Sequence, residues 1–264
     1  MKYLFRNQKD VLSRVSASAC LHIFLDYDGT LAPITQRPEH AIMSDAARTI
    51  LRTLIKSEGV TVSIVSGRAL SHVRRFVGLR GVNYAGCHGL ETQNASAGLP
   101  AIDRTGVRSC IRSVRRLLER KLPGVVDPDS VDIEDKGLIL SLHYRRAEPS
   151  RVKGLREVFL TASMPYVISG KMVVLKNKKV FELRPSTKWD KGLYCMHVLR
   201  QSRKRPLPVY VGDDKTDETA FKVLRHIGIT VFVKGERKTS SAEFYVHSTN
   251  EVINLLRLIA RART

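Results

Sequence analysis

Short apolar runs alternate with amphipathic stretches in the first part of the chain. The runs L-H-I-F-L at 21–25 and V-T-V-S-I-V at 60–65 predict buried strands, and a third strand is predicted at 82–86. Between the first two strands, Ser44 is placed to cap a helix that continues to about Lys56. This β-α-β alternation predicts a parallel sheet that is covered by helices on both faces.

The pattern changes in the middle of the chain. A helix predicted near 107–121 is followed by the apolar runs 131–134 and 138–144. A second helix near 150–161 precedes three closely spaced runs, Y-V-I-S-G, K-M-V-V-L-K and K-V-F-E-L, which indicate antiparallel hairpins. We therefore expect an inserted second domain at 102–181.

The first alternation returns after this insert. The predicted elements are a helix from Thr187, a strand at 208–211, a helix after Asp214, a strand at 229–233 and a closing helix at 251–262. The predicted fold class is therefore α/β. A core formed by 1–101 and 182–264 would carry a parallel sheet, and 102–181 would form the second domain.

Composition adds one unusual property, a formal net charge of +20 from 45 Lys and Arg residues against 25 Asp and Glu residues. Such a field attracts anions, which include phosphorylated metabolites, nucleic acid and anionic membranes, and composition alone does not choose among them. The 264 residues are 43% hydrophobic, which is enough for a sizeable core.

The chain shows no signal of export or of a membrane span. Its four cysteines are widely separated, which favours reduced, buried thiols over a disulfide framework. The N-terminal turns are charged, and no stretch approaches the roughly 20 apolar residues of a transmembrane helix. We expect a cytoplasmic protein.

Four polar motifs fall where predicted strands end: D-Y-D-G-T at 26–30, S-G-R at 66–68, H-G-L-E at 88–91 and G-D-D-K-T-D-E at 212–218. Ligands of open parallel sheets bind outside the carboxyl ends of the strands. We therefore expect these dispersed motifs to converge in space.

The two carboxylates of the first motif need an explanation, because like charges one residue apart repel each other. Asp26, Asp28 and Asp213 could surround one Mg²⁺, which prefers hard oxygen ligands and is commonly shared with a phosphate. The alternative for D-Y-D-G by itself is a turn or a helix cap. The second acidic motif at another strand end favours the metal site.

The same residues suggest a chemistry. An aspartate held beside Mg²⁺ and a phosphoryl group is a plausible nucleophile, and a carboxylic acid two residues further on can act as general acid and base. Ser66, the Gly67 amide and Lys191 could stabilise the phosphoryl oxygens. The alternative for Lys191 is a solvated surface lysine.

These residues, in this order, resemble the haloacid-dehalogenase-like phosphatase superfamily. The resemblance implies a Rossmann-like core, with Asp26 as the nucleophile and Asp28 as the general acid/base. It also implies that Asp26, the Asp28 carbonyl and Asp213 bind Mg²⁺, with Asp214 or Asp217 in support. Ser66, Gly67 and Lys191 would hold the phosphoryl group.

A narrower resemblance, to the trehalose-6-phosphate phosphatase family, covers nearly the whole chain. It rests on D-Y-D-G-T-L-A-P-I, I-V-S-G-R, Y-A-G-C-H-G-L-E, I-E-D-K-G-L-I-L-S-L-H-Y-R, V-F-E-L-R-P, K-G at 191–192 and G-D-D-K-T-D-E. The resemblance implies that the insert is a mobile α/β cap of the C2 type whose polar residues bind glucose hydroxyls. The positions that match best are Glu134, Lys136 and Glu182, and the weaker candidates are Arg68, His88, His143, Arg145 and Arg184.

Each cap residue also has a structural interpretation. Glu134 and Lys136 share a face of a strand, so they could form an exposed cross-strand charge pair. His143 could be a satisfied sheet residue, and Arg184 could be structural.

Two features depart from the family pattern. Cys87 stands where a serine is expected, and a thiol is the weaker hydrogen-bond partner. Arginines also crowd the region 104–120 beyond what one phosphate requires, namely Arg104, Arg108, Arg112, Arg115, Arg116 and Arg120. They form either a solvated helix face or a surface for a polyanion or another partner.

The predicted function is Mg²⁺-dependent hydrolysis of trehalose 6-phosphate, the last step of trehalose biosynthesis. Any trehalose-6-phosphate synthase would be a separate chain, and we expect a monomer that binds neither membrane nor nucleic acid. One alternative is a related sugar phosphatase that acts on sucrose phosphate or a mannosyl-phosphoglycerate. Another is a basic protein on a phosphatase scaffold that binds nucleic acid or acidic partners.

Overall fold

The computed structural model describes residues 1–35, 37–93, 100–177, 179–234 and 239–263. The chain divides into two compact units. Unit 1 comprises Met1–Gly98 and Trp189–Thr264, and unit 2 comprises Leu99–Lys188.

The strands are β1 (Lys2–Tyr3), β2 (Leu21–Leu25), β3 (Val60–Val65), β4 (Val82–Gly86), β5 (Glu91–Thr92), β6 (Asp132–Asp135), β7 (Leu140–His143), β8 (Met172–Asn177), β9 (Val180–Pro185), β10 (Leu207–Gly212), β11 (Ile229–Val233) and β12 (Phe244–Val246). The helices are α1 (Gln8–Ala17), α2 (Asp45–Lys56), α3 (Leu70–Val77), α4 (Arg104–Lys121), α5 (Val152–Ile168), α6 (Lys191–Gln201), α7 (Glu218–Leu224) and α8 (Thr249–Arg261). Short 3₁₀ turns connect several of these elements.

Unit 1 contains an eight-stranded sheet in the order β1-β12-β11-β10-β2-β3-β4-β5. All neighbouring strands are parallel except β4 and β5. Strand β2 lies between β10 and β3, and each of its five residues is buried. Full burial explains why these strands read as continuous apolar runs rather than alternating ones. The predicted α/β class with a parallel sheet is confirmed.

Helix α2 illustrates how the sequence sets the helical layer. The Ser44 hydroxyl accepts a hydrogen bond from the Ala47 amide at 3.2 Å, so the predicted cap is present. Ile50, Leu51 and Leu54 are buried on the inner face of this helix. Their spacing of three and four residues places them on one side, where they pack into the core of unit 1.

Unit 2 contains a four-stranded antiparallel sheet in the order β6-β7-β9-β8. Helices α4 and α5 pack against each other and against the sheet, with Phe159 of α5 on Phe181 of β9 at 5.8 Å between ring centroids. The strand register places Glu134, Ser141 and Glu182 opposite one another. Because successive side chains alternate between the two faces of a strand, these three side chains lie on the face of the sheet opposite to that of Phe181.

One predicted strand is wrong. The run Y-V-I-S-G was expected to be a strand, but residues 166–168 form the last turn of α5. The helix buries Phe159, Ala162 and Ser163 and continues through Pro165, so packing of its inner face overrides the strand preference of Val167 and Ile168. Gly170, with a φ of 71°, follows the helix, and β8 begins at Met172.

Smaller differences concern boundaries. Helix α6 begins at Lys191 rather than Thr187, because the Asp190 side chain caps it by accepting from the Leu193 amide at 2.9 Å. The expected boundary between 181 and 182 falls inside β9, which pairs through Pro185. The short strands β1, β5 and β12 were not predicted, since runs this short carry little periodic signal.

The arginine-rich helix α4 buries an apolar face and exposes its basic residues. Arg108, Arg112, Arg115, Arg116 and Arg120 are exposed, and Arg104 is half-buried. Arg115 pairs with Glu119 at 2.7 Å. Exposure is what both interpretations of this helix require.

Two further expectations concern the cysteines and the membrane. All four cysteine side chains are buried as reduced thiols. Among the described residues, no helix combines the length and the apolar character that crossing a bilayer requires.

Candidate active site

The predicted strand-end motifs of unit 1 meet at one edge of its sheet. Asp26 follows β2, and its amide donates to the Val211 carbonyl of neighbouring β10 at 3.0 Å. On the other side, Ser66 follows β3 and its amide donates to the Ala85 carbonyl of β4 at 2.9 Å. The strand order β10-β2-β3-β4 therefore brings the four motifs side by side.

Lys191 is the centre of a buried charge cluster. Its Nζ lies 3.0 Å from Oδ1 of Asp26 and 2.9 Å from Oδ1 of Asp217. Only 1% of the lysine is exposed, so the alternative of a solvated surface lysine is wrong. Burial alone would lower the pKa of Lys191, but Asp217 and Asp26 outweigh it and hold that pKa well above its usual value.

The surrounding carboxylates are under strong mutual repulsion. Burial raises the pKa of Asp26, which is 5% exposed; Lys191 lowers it, and Asp217 and Asp213 raise it further. Burial, together with Asp217 and Asp214, raises the pKa of Asp213 to about 8. In this cluster a further positive charge would therefore be stabilising.

Asp217 organises the acidic loop that follows β10. Its Oδ2 accepts hydrogen bonds from the amides of Asp213 and Asp214, both at 3.0 Å. Its Oδ1 accepts from Lys191 and from the Tyr210 hydroxyl at 2.6 Å. Both oxygens are thus used by the protein itself. Tyr210 was not predicted, because a tyrosine within an apolar strand gives no signal of its own.

Asp214 has a similar local role. Its Oδ1 accepts from the amide and the hydroxyl of Thr216, at 2.7 and 2.6 Å. These bonds fix the turn between β10 and α7.

Two glycines allow the acidic groups to approach the backbone. A Cβ at Gly29, whose φ is 78°, would lie 2.2 Å from Oδ2 of Asp213. A Cβ at Gly212 would lie 2.3 Å from Cγ of Asp217. Any side chain at either position would therefore displace a carboxylate of the cluster.

The donor set of this cluster fits a hard divalent cation. Asp26, Asp213 and Asp217 each offer one carboxylate oxygen, and these three atoms lie within 4.8 Å of one another. Oxygen ligands with an excess of negative charge are what Mg²⁺ binds. Among the predicted ligands, Asp26 and Asp213 belong to this group, whereas the Asp28 carboxylate is engaged elsewhere.

Arg68 holds that carboxylate. Its Nε donates to Oδ2 of Asp28 at 2.7 Å, and its Nη2 donates to Oδ1 at 2.6 Å. Arg68 was predicted to bind substrate, and sequence reasoning did not find this ion pair. The S-G-R motif contains no sign of it, because the partners are 40 residues apart.

The loops after β3 and β4 are tied together around Gly67. The His88 amide donates to the Ser66 carbonyl at 2.9 Å, and the Cys87 amide donates to the Arg68 carbonyl at 2.8 Å. Cys87 and His88 both adopt left-handed backbone conformations, with φ of 50° and 58°. Non-glycine residues in this region cost about 1–3 kcal/mol each and concentrate at functional sites. The His88 ring is buried and packs where a Cβ at Gly67 would be, with Cε1 only 2.7 Å from that position.

Unit 2 contains a second polar cluster, which combines four of the predicted sugar-binding residues. Lys136 Nζ lies 3.4 Å from Oε1 of Glu182 and 3.6 Å from Oε2 of Glu134. His143 Nε2 lies 2.9 Å from the same oxygen of Glu134. Lys136 and Glu182 are buried, at 7% and 5% exposure. A fully exposed charge pair is therefore excluded for Lys136.

Two further residues of this cluster were missed from the sequence. The Ser141 hydroxyl donates to Oε1 of Glu182 at 3.0 Å, and the Asn177 amide nitrogen donates to Oε2 at 2.7 Å. The polar position of Ser141 within L-I-L-S-L was the available signal. The remaining candidates lie differently: Arg184 is half-buried on β9, two residues from Glu182, and Arg145 is exposed in the turn after β7.

The fold defines the class of protein. The chain superposes on the C-terminal domain of a C. albicans trehalose-6-phosphate phosphatase with a TM-score of 0.80, over 98% of both chains and at 24% identity. At this identity the likeness shows the fold alone, an α/β core with a mostly parallel sheet and a second unit inserted in its sequence. The predicted fold is confirmed.

The sequence comparisons define the family. The trehalose-phosphatase family model matches residues 24–250. A probable trehalose-phosphate phosphatase 4 of Oryza sativa subsp. japonica is 33% identical over 90% of this chain, and trehalose-phosphate phosphatase B of Arabidopsis thaliana is 30% identical over 95%. The chain belongs to the trehalose-phosphatase family of enzymes, as its motifs predicted. It spans 65% and 69% of the lengths of these two relatives.

Proposed function

We propose that this chain hydrolyses trehalose 6-phosphate to trehalose and phosphate. The observation that carries the proposal is the buried ammonium of Lys191, which bridges Asp26 and Asp217 inside an acidic cluster at the carboxyl edge of the sheet. Membership of the trehalose-phosphatase family supports the choice of substrate. The reaction would be the last step of trehalose biosynthesis.

In the proposed reaction, an Asp26 carboxylate oxygen attacks phosphorus. A bond forms between this oxygen and phosphorus, the bond from phosphorus to the sugar oxygen breaks, and Asp28 donates a proton to the leaving oxygen. Asp28 then takes a proton from a water molecule, whose oxygen attacks phosphorus and releases Asp26. Lys191, the Ser66 hydroxyl and the Gly67 amide stabilise the phosphoryl oxygens throughout.

Mg²⁺ is the cofactor that the acidic cluster would hold, through Asp26, Asp213 and the Asp28 carbonyl. When bound, it supplies positive charge that offsets the repulsion among the carboxylates and polarises a phosphoryl oxygen. Asp214 and Asp217 support this site by fixing the loop that carries Asp213.

We assign the recognition of the sugar to unit 2. Glu134, Lys136 and Glu182 form a fixed set of donors and acceptors, and their positions are set by Ser141, His143 and Asn177. Sugar hydroxyls require such a set, because a ligand that leaves its buried members unmatched is penalised. The cytoplasmic location and the monomeric state stay predictions.

The direct test is phosphate release in the presence of Mg²⁺ from trehalose 6-phosphate, glucose 6-phosphate, sucrose 6-phosphate, a mannosyl-phosphoglycerate and p-nitrophenyl phosphate. The proposal requires that trehalose 6-phosphate has the highest kcat/KM by a factor of about 100 or more. A higher kcat/KM for another sugar phosphate would identify that compound as the substrate instead. If no phosphate is released from any of these five compounds, the proposed phosphatase activity is wrong.

A further inference from the structure

We propose that Arg68 is a positioning residue for the general acid/base Asp28. This inference rests on the proposed phosphatase reaction, because it concerns the proton that Asp28 donates to the leaving oxygen. It replaces the role of substrate ligand that the sequence suggested for Arg68.

The contact between the two side chains fixes the direction of the carboxylate. Two parallel N–H donors of Arg68 reach the two oxygens of Asp28, at 2.7 and 2.6 Å. A bidentate pair of this kind restricts both rotation and tilt of the carboxylate plane, and it leaves a second lone pair on each oxygen to carry the proton that Asp28 exchanges. Asp28 needs such a restraint, because its own side chain is 40% exposed.

Arg68 is itself held in place from several sides. The guanidinium carbon lies 4.7 Å from the centroid of the Phe76 ring and 5.2 Å from that of the Tyr27 ring. The Arg68 amide donates to the Ser66 hydroxyl at 3.1 Å, and its carbonyl accepts from Cys87. The residue is only 6% exposed. It is therefore a rigid support rather than a mobile surface side chain that meets Asp28 by chance.

The same contacts link the orientation of Asp28 to the phosphoryl site. Ser66 and Gly67 directly precede Arg68, so one short loop after β3 carries the proposed phosphoryl donors and the support of the acid. A displacement of this loop would move both together. Precise placement matters for proton transfer, because general acid–base catalysis depends on a positioned side chain.

The inference predicts a particular pattern across leaving groups. Expulsion of phenolate depends more on a proton donor than expulsion of p-nitrophenolate, which is the more stable anion. kcat/KM reports only the steps up to loss of the leaving group, so the later attack of water does not enter. Both esters lack a sugar, so contacts made by unit 2 to the sugar do not enter either.

The experiment measures kcat/KM of the full chain for phenyl phosphate and p-nitrophenyl phosphate with Mg²⁺. In Arg68→Met, we expect kcat/KM for p-nitrophenyl phosphate divided by kcat/KM for phenyl phosphate to rise by about tenfold or more. The reason is that general acid catalysis contributes roughly 100- to 10,000-fold to the rate. Arg68→Lys, which keeps the charge but loses the planar pair of donors, is expected to give an intermediate ratio. Circular dichroism verifies that each variant is folded.

Arg75→Met is the matched control. Arg75 is exposed and also lies over the Phe76 ring, at 5.5 Å, but belongs to α3 rather than to the loop that supports Asp28. The ratio of the two kcat/KM values in Arg75→Met should equal that of the unmodified chain. An equal loss on both esters in Arg68→Met would make Arg68 a phosphate ligand and overturn the inference. If the unmodified chain releases phosphate neither from these esters nor from trehalose 6-phosphate, the proposed phosphatase activity has failed instead, which is a distinguishable result.

Discussion

The two polar clusters of this chain differ in how their buried charges are compensated. In unit 1, the carboxylates of Asp26, Asp213, Asp214 and Asp217 act on the single ammonium of Lys191. In unit 2, Glu134 and Glu182 share Lys136, and neutral donors take further oxygens. Among these contacts of the described residues, four carboxylates act on one ammonium in unit 1, and two carboxylates share one ammonium in unit 2.

The difference in charge determines what each cluster can bind. A buried excess of negative charge is costly unless a cation joins it, so the cluster of unit 1 suits a metal that is shared with a phosphate. A nearly balanced cluster has no such need and offers its polar atoms to neutral hydroxyls. The proposal therefore assigns the phosphoryl group to unit 1 and the sugar to unit 2.

The largest expected effect comes from Asp26→Asn, which removes the nucleophile and keeps the size of the side chain. Turnover of every phosphate ester should fall by more than about 1,000-fold, as it does when a covalent nucleophile is lost. Phosphate release measures it, and Asp10→Asn, on the exposed face of α1, is the control that should remain active. Substantial turnover in Asp26→Asn would show that Asp26 is not the nucleophile.

Metal removal tests the charge excess of unit 1. EDTA should abolish phosphate release, and added Mg²⁺ should restore it. A second readout does not need activity: Mg²⁺ should raise the Tm of the unmodified chain, since a ligand that binds only the folded state stabilises it. Asp213→Asn should reduce this rise. Activity that is insensitive to chelation, or a Tm that is unaffected by Mg²⁺, would contradict the assignment.

The cluster of unit 2 should respond differently from that of unit 1 to the loss of one charged carboxylate. Glu182→Gln takes the charge from the acceptor that Lys136, Ser141 and Asn177 share, and a hydrogen bond to a charged group contributes about 1.5–3 kcal/mol to the free energy of unfolding. In the absence of metal, Asp213→Asn should lower the free energy of unfolding much less, because it relieves the repulsion of Asp213 by Asp217 and Asp214. Urea unfolding followed by circular dichroism measures both, with the exposed Glu157→Gln as the control. Equal losses in both variants would erase the distinction between the clusters.

His22 differs from both clusters, because it is a buried titratable residue whose neutral form is favoured. Burial lowers its pKa to about 4, its ring stacks on Phe24, and its Nε2 lies 2.7 Å from the Ser63 hydroxyl. Because the unfolded chain takes up the proton first, His22 contributes stability above pH 6.5 that is lost as the pH falls towards 4.

His22→Gln should therefore reduce the acid dependence of unfolding between pH 6.5 and pH 4 by up to about 3 kcal/mol. Urea unfolding at a series of pH values measures this slope. The exposed His226→Gln provides the control and should keep the slope of the unmodified chain. An unchanged slope in His22→Gln would mean that the ring accepts a proton in the folded state.

The sequence predicted the framework of unit 1 well, for a physical reason. Strands β2, β3, β4 and β11 have the predicted limits, because buried parallel strands are continuous apolar runs between polar motifs. The convergence of Asp26, Ser66 and Asp213 also followed, since carboxyl ends of parallel strands share one edge.

Other features depend on contacts that no local pattern encodes. The pair of Arg68 with Asp28, the hydrogen bond from Tyr210 to Asp217 and the support of Glu182 by Asn177 all join side chains through the tertiary structure. The wrong strand at 166–170 has a related origin. Val167 and Ile168 favour a strand locally, whereas α5 extends because its inner face packs in unit 2.

The separate roles of the two units can be tested by comparing two substrates in one variant. Glu134→Ala removes a carboxylate of unit 2 and leaves the cluster of unit 1 intact. We predict that its kcat/KM falls at least about tenfold more for trehalose 6-phosphate than for p-nitrophenyl phosphate, because only the former presents sugar hydroxyls. An equal fall for both substrates would contradict the division of labour between the two units.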